Sequence, residues 1–106
     1  MATGKEAGKA AGKAAGGPVL GIDAGTESFR AGVFDTAGKC LGFGVSPNKT
    51  YHRHPGWAEQ SPADWDKALV DSIKGALAES KVSPRDIRAI GVDGTSCTVV
   101  FLDAAG

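Results

Sequence analysis

Three short apolar runs, joined by connections of only a few residues, precede the one strongly amphipathic stretch of this chain. That order leaves few folds open. Val19-Leu20-Gly21-Ile22-Asp23 ends in an acid followed by Ala24-Gly25-Thr26, the pattern of a buried strand running into a turn. Ser28 to Asp35 is the second run, Thr36 to Lys39 reads as a turn, and Cys40 to Val45 is the third run. Such short connections suit neighbours that pair antiparallel, so the three strands are expected to form a meander. Ser46 to Gln60 is polar, contains Pro47, His52, Arg53, His54 and Pro55, and reads as a loop.

The amphipathic stretch carries its own start signals. Ser61 stands where a cap belongs, Pro62 fits the first helical position, and Asp64 takes the place of a capping-box acid. Trp65, Ala68, Leu69, Ile73, Ala76 and Leu77 then recur at spacings of three and four, while Asp66, Lys67, Asp71, Lys74 and Glu79 fill the opposite face. The pattern fades near Ser80. Ser83-Pro84 begins a turn, Ile87 to Val92 reads as a strand, and Cys97 to Leu102 reads as another. A helix between two strands of one sheet implies a parallel, right-handed crossover. The expected fold class is therefore α/β, a three-stranded antiparallel meander followed by a helix and a parallel strand.

Composition narrows the partners. The 106 residues allow one domain, and 12 basic against 12 acidic residues argue against a nucleic-acid binder held by bulk charge. No apolar run approaches the roughly 20 residues of a spanning helix, so no membrane partner is expected. Cys40 and Cys97 are too few for a disulfide scaffold, and the start, Met1 to Lys5, lacks the apolar core of a secretory signal. These features fit a reducing compartment such as the cytoplasm. Residues 1–17 hold three Lys and one Glu, no branched aliphatic and no aromatic residue, so a disordered tail is expected there. The alternatives, a basic arm on nucleic acid or an organelle address, suit Lys5, Lys9 and Lys13 less well.

Two loops have the composition of chemistry. In Asp23-Ala24-Gly25-Thr26-Glu27-Ser28, Gly25 lets backbone N–H groups approach a phosphate, and Thr26 and Ser28 add hydroxyl donors. Asp23, fixed at a strand end, suits a Mg²⁺ ion that keeps most of its waters. The spacing alone leaves a tight hairpin turn equally open. The second loop is Asp93-Gly94-Thr95-Ser96-Cys97-Thr98, again at the carboxyl end of a strand, where ligands of parallel sheets gather. Its small hydroxyl residues suit a polyol, while the pattern alone somewhat favours a polar turn. Cys97 reads as a small packing residue rather than a nucleophile, because neither His52 nor His54 is placed as its base. Those two His lack a third ligand for a metal.

Together these residues resemble the FGGY carbohydrate kinases of the sugar kinase/Hsp70/actin superfamily. The resemblance rests on Leu20 to Asp35, on Pro55-Gly56-Trp57-Ala58-Glu59-Gln60-Ser61-Pro62, on the Ile87–Val92 strand, and on Gly91 to Thr98, in that order. It covers Val19 to Gly106, and its last motif is most similar to the ribulokinase-like branch.

The resemblance implies part of an actin-like (ribonuclease H-like) ATPase domain over residues 18–106. It implies transfer of the ATP γ-phosphoryl group to a hydroxyl of a sugar, a pentulose such as ribulose. Asp23 would then hold Mg²⁺ through water, Gly25, Thr26 and Ser28 would cradle phosphates, and Arg30 would reach towards the transferred group. Gly94, Thr95, Ser96, Cys97 and Thr98 would line the sugar pocket. Glu27 departs from the Thr or Ser of many relatives, and is expected to contribute its N–H or face away. Relatives are several times longer, with two actin-like domains and the active site in the cleft between them, and the full-length enzyme can form a homodimer. Their general-base Asp, second phosphate motif and adenosine motif would lie beyond residue 106, so this chain is expected to hold no catalytic base. A different class of function also stays open: a truncated, non-catalytic kinase lobe that acts as a binding or partner module.

Overall fold

The computed structural model of the chain describes residues 16–106. The expected disordered tail, 1–17, therefore lies outside the described residues except for its last two. Four strands form one sheet: β1 (Val19–Ala24), β2 (Ser28–Phe34), β3 (Cys40–Pro47) and β4 (Ala89–Gly94). Their order is β3-β2-β1-β4, with β1 antiparallel to β2, β2 antiparallel to β3, and β1 parallel to β4. The meander is as expected. The turn between β2 and β3 is held by Asp35, whose Oδ1 accepts the N–H groups of Ala37 and Lys39 at 2.9 Å each. Gly38 supplies the left-handed backbone there, with φ of 85°.

Alternation along the strands sorts the side chains. Leu20 and Ile22 of β1 stand in register with Val33 and Ala31 of β2, and all four are buried on one face. Helix α1 (Pro62–Ser80) covers that face, crossing β3 and β2. It buries Ala68, Ser72 and Ala76, with Leu69, Ile73 and Leu77 packed around the same core. Each large aliphatic side chain enclosed here contributes about 1.5–3 kcal/mol. The close approach of helix and sheet depends on Gly42 and Gly44 of β3. A Cβ at either would run into the α1 backbone, at Ala76 and Ser80 for Gly42, and at Ser72 and Ala76 for Gly44. The buried Ser72 satisfies its hydroxyl by donating to the Leu69 carbonyl at 3.0 Å.

Four expectations need correction. Ser61 is the N-cap with extended backbone, yet its side chain makes no capping hydrogen bond. Asp64 does not close a capping box, because its Oδ2 accepts the Tyr51 hydroxyl at 2.7 Å. The strand after the helix starts at Ala89, not Ile87: Pro84–Asp86 forms a turn of 3-10 helix, Ile87 packs against the core, and the Arg88 N–H donates to the Pro18 carbonyl at 2.9 Å. Cys97 to Leu102 is not a strand. Cys97 has φ of 67°, which turns the chain away, and no described strand lies beside β4 to pair with it. Val99, Phe101 and Leu102 are exposed there. The helix does join two parallel strands, β3 and β4, but they are separated by β2 and β1.

Candidate functional site

Parallel pairing of β1 with β4 sets the site. Asp23 stands beside Asp93 and Ala24 beside Gly94, so the loops that follow both strands leave the same end of the sheet. They are laced together. The Thr95 N–H donates to the Ala24 carbonyl at 3.0 Å, and the hydroxyls of Thr26 and Thr95 lie 3.0 Å apart in a shared hydrogen bond.

Within the first loop, the Gly25 N–H donates to the Ser28 carbonyl at 3.0 Å and closes the turn. A Cβ on Gly25 would stand 2.8 Å from both that carbonyl oxygen and Arg30 Nη2, so the glycine is needed for close packing of the loop itself. Its N–H is committed to the turn. The N–H groups of Thr26 and Glu27 carry no hydrogen bond among the described residues. Arg30 and Asp23 face each other on neighbouring strands, with Arg30 Nε and Nη2 donating to Asp23 Oδ2 at 3.1 and 2.8 Å. Both side chains are nearly half exposed, 44% and 47%, so the pair fixes a geometry more than it adds stability. Asp23 Oδ1 is left without a partner among the described residues.

Between the second loop and the segment that enters α1 lies a groove of about 440 Å³, lined by Glu59, Gln60, Trp65, Cys97, Thr98 and their neighbours. A smaller hollow of about 210 Å³ adjoins it and reaches Gly25, Gly94 and Thr95. Gln60, Trp65, Thr98 and Val100 line both. Ser96 is exposed and lines neither. Cys97 is exposed in the groove wall, not packed in the core as its residue type suggested.

Gln60, a loop residue by its sequence surroundings, is a hub of the site. Its Oε1 accepts from Trp65 Nε1 at 3.0 Å and Asn48 Nδ2 at 3.1 Å, while its Nε2 donates to the Thr26 carbonyl at 2.8 Å and the Thr50 hydroxyl at 3.1 Å. Beside it, Tyr51 and Glu59 form an antiparallel bridge that carries the segment into α1. The hydrogen bond to Asp64 raises the Tyr51 hydroxyl above its ordinary pKa of 10.0, with partial burial adding to the shift. His52 Nδ1 hydrogen-bonds with the Trp57 carbonyl at 2.8 Å, and His54 packs edge-on against the Trp57 ring.

Among the described residues, no three His, Cys, Asp or Glu side chains gather to hold a metal ion unaided. One free carboxylate oxygen at Asp23, at the strand end that leads into the unpaired Thr26 and Glu27 N–H groups, fits an ion bound largely through water and phosphate oxygens, which is the habit of Mg²⁺.

Residues 18–106 match the sequence model of the FGGY family of carbohydrate kinases, N-terminal domain. The chain belongs to this family. A ribulokinase of Geobacillus thermodenitrificans is 34% identical over 99 residues, and a glycerol kinase of Thermococcus gammatolerans is 39% identical over 89; each alignment covers 83% of this chain and 18% of the relative. Among solved structures, xylulose kinase from Rhodospirillum rubrum superposes with a TM-score of 0.74 at 30% identity, covering 84% of this chain and 18% of that one. This FGGY domain thus spans less than a fifth of the relatives it matches. No helix among the described residues is long and apolar enough to cross a membrane.

Proposed function

We propose that this FGGY domain supplies the phosphate-facing and sugar-facing loops of an ATP-dependent cytoplasmic kinase whose acceptor is a pentulose such as ribulose. In that reaction the sugar hydroxyl gives its proton to a general base, its oxygen forms a bond to the γ-phosphorus, the bond to the β-γ bridging oxygen breaks, and ADP leaves. The observation that carries the reading is the Thr26–Thr95 contact, which joins the two loops into one mouth above the grooves.

The free N–H groups of Thr26 and Glu27, with the hydroxyls of Thr26 and Ser28, meet phosphate oxygens. Arg30, held at the mouth by Asp23, offers charge to the transferred group without having to reorganise. Asp23 Oδ1 would hold Mg²⁺ through water, and the ion would supply positive charge against the phosphates. Gly94, Thr95, Cys97 and Thr98 form the sugar side, with Ser96 near its entrance. The groove of about 440 Å³, where Glu59, Gln60, Cys97 and Thr98 stand beside the Trp65 and Phe101 rings, leaves room for a five-carbon chain of hydroxyls. The general base and the adenosine contacts are assigned to sequence beyond residue 106, and 18–106 to the first part of a larger domain.

The test is a chimera. Residues 18–106 replace the matching segment of the Geobacillus ribulokinase, and ADP release is measured with D-ribulose, L-ribulose, D-xylulose and glycerol. Release that depends on a pentulose is expected. A folded chimera that responds to glycerol alone would move the acceptor to a triol, and one silent with every acceptor would overturn the kinase assignment of these loops.

A further inference from the structure

We propose that Gln60 is a positioning residue that sets the peptide plane between Thr26 and Glu27, and so aims the Glu27 N–H. This rests on the phosphate-facing role proposed for that loop. Gln60 has two acceptor and two donor positions, and all four are used: Oε1 by Asn48 and Trp65, Nε2 by Thr26 and Thr50. The orientation of the amide is not free to flip. An indole N–H can only donate, so Oε1 must face Trp65, and Nε2 must then face the Thr26 carbonyl.

The consequence runs along one peptide unit. The Thr26 carbonyl and the Glu27 N–H belong to the same planar trans peptide, so they point in opposite directions. Fixing the carbonyl on Gln60 fixes the N–H away from it. The Glu27 carbonyl is held in turn by the Asn48 N–H at 2.8 Å, and Asn48 also donates to Gln60. The loop is therefore clamped to the first turn of α1 through Trp65, and the clamp leaves the Glu27 amide free to donate. A donor held in place before a ligand arrives binds developing charge without a cost of reorganisation.

Gln60→Glu separates the two halves of the clamp. A carboxylate still accepts from Trp65 and Asn48, but it cannot donate to Thr26 and repels that carbonyl. In the ¹⁵N-labelled 106-residue chain, amide protection of Gly25, Asn48 and Thr95 is expected to fall about tenfold, as for loss of one hydrogen bond. The Glu27 ¹⁵N resonance should shift, while protection at Val33 and Ala76 should not change. Protonating the new side chain near pH 4 restores a donor, so the loss should reverse on acidification. Trp65→Phe removes one acceptor contact and leaves the donor half, so loop protection should survive it.

Unchanged loop protection in Gln60→Glu at every pH would overturn the proposal. So would an even loss that includes Val33 and Ala76, or a Trp65→Phe variant that loosens the loop as much. None of these readouts uses a ligand, so they stand apart from the chimera assay: a silent chimera with an intact clamp rejects only the kinase reading.

Discussion

Asp23 and Arg30 show why one residue can be read two ways. They pair across neighbouring strands, with Oδ2 engaged and Oδ1 free, so the contact that shapes a hairpin also presents a carboxylate oxygen and a guanidinium at the mouth of the site. In the chimera, Asp23→Asn should lower turnover by about 10²–10³ with sugar KM nearly unchanged, because a preorganised charge acts on the transition state. Near-normal turnover at saturating Mg²⁺ would reduce the loop to a turn. Thr98 lines both hollows, and Thr98→Leu puts an apolar group where a sugar hydroxyl needs a partner. An unpaired buried polar group costs roughly 1–3 kcal/mol, so sugar affinity should fall about five- to 150-fold with ATP affinity held. A loss confined to ATP would place this loop on the nucleotide side.

At the scale of elements, the strands of the meander and the helix were legible because each has its own periodicity and punctuation. Expected and observed limits differ by no more than two residues for β1, β2, β3 and α1. What escaped was set by partners distant in sequence. Ser72 is buried because it faces Gly44, and a helix-period pattern counts it as polar. Asp64 was drawn from the capping box by Tyr51. Gln60 could not be found by spacing, since its partners come from positions 26, 48, 50 and 65. Two predictions belong here. Gly44→Ala should destabilise the chain by about 1–3 kcal/mol in urea unfolding, because its Cβ would fall on the α1 backbone. Gly91→Ala meets nothing within 4 Å and should be neutral or slightly stabilising. Tyr51 gives the pH test. Its folded pKa is raised, so its contribution is fully present below 10.0 and is lost as pH rises through the folded value. The stability advantage over Tyr51→Phe should therefore be steady at about pH 8 and shrink by about pH 11, and an advantage that grows with pH would refute the Asp64 contact.

For the whole molecule, one arrangement matters most: a parallel pair, β1 and β4, whose following loops meet at one end while α1 supports them from the side. Both loops were visible in the sequence as strand ends rich in Gly and hydroxyl residues. Their mutual contact was not, because Thr26 and Thr95 are far apart along the chain and are joined only by the β1–β4 register. The outer side of β4 and the stretch to Leu102 expose Ile90, Val92, Val99 and Phe101, which explains why an apolar run alone misread 97–102 as a strand. The claim that the two loops form one site with a phosphate side and a sugar side is tested most directly by ligand mapping. The ¹⁵N-labelled chain is titrated separately with magnesium tripolyphosphate and with D-ribulose, and amide resonances are followed residue by residue. The account predicts that tripolyphosphate moves Thr26, Glu27 and Ser28, that ribulose moves Gly94 to Thr98 and Gln60, and that either ligand perturbs Thr95 through its bond to Thr26. Tripolyphosphate acting only on Gly94 to Thr98, or neither ligand reaching either loop at saturating concentration, would contradict it.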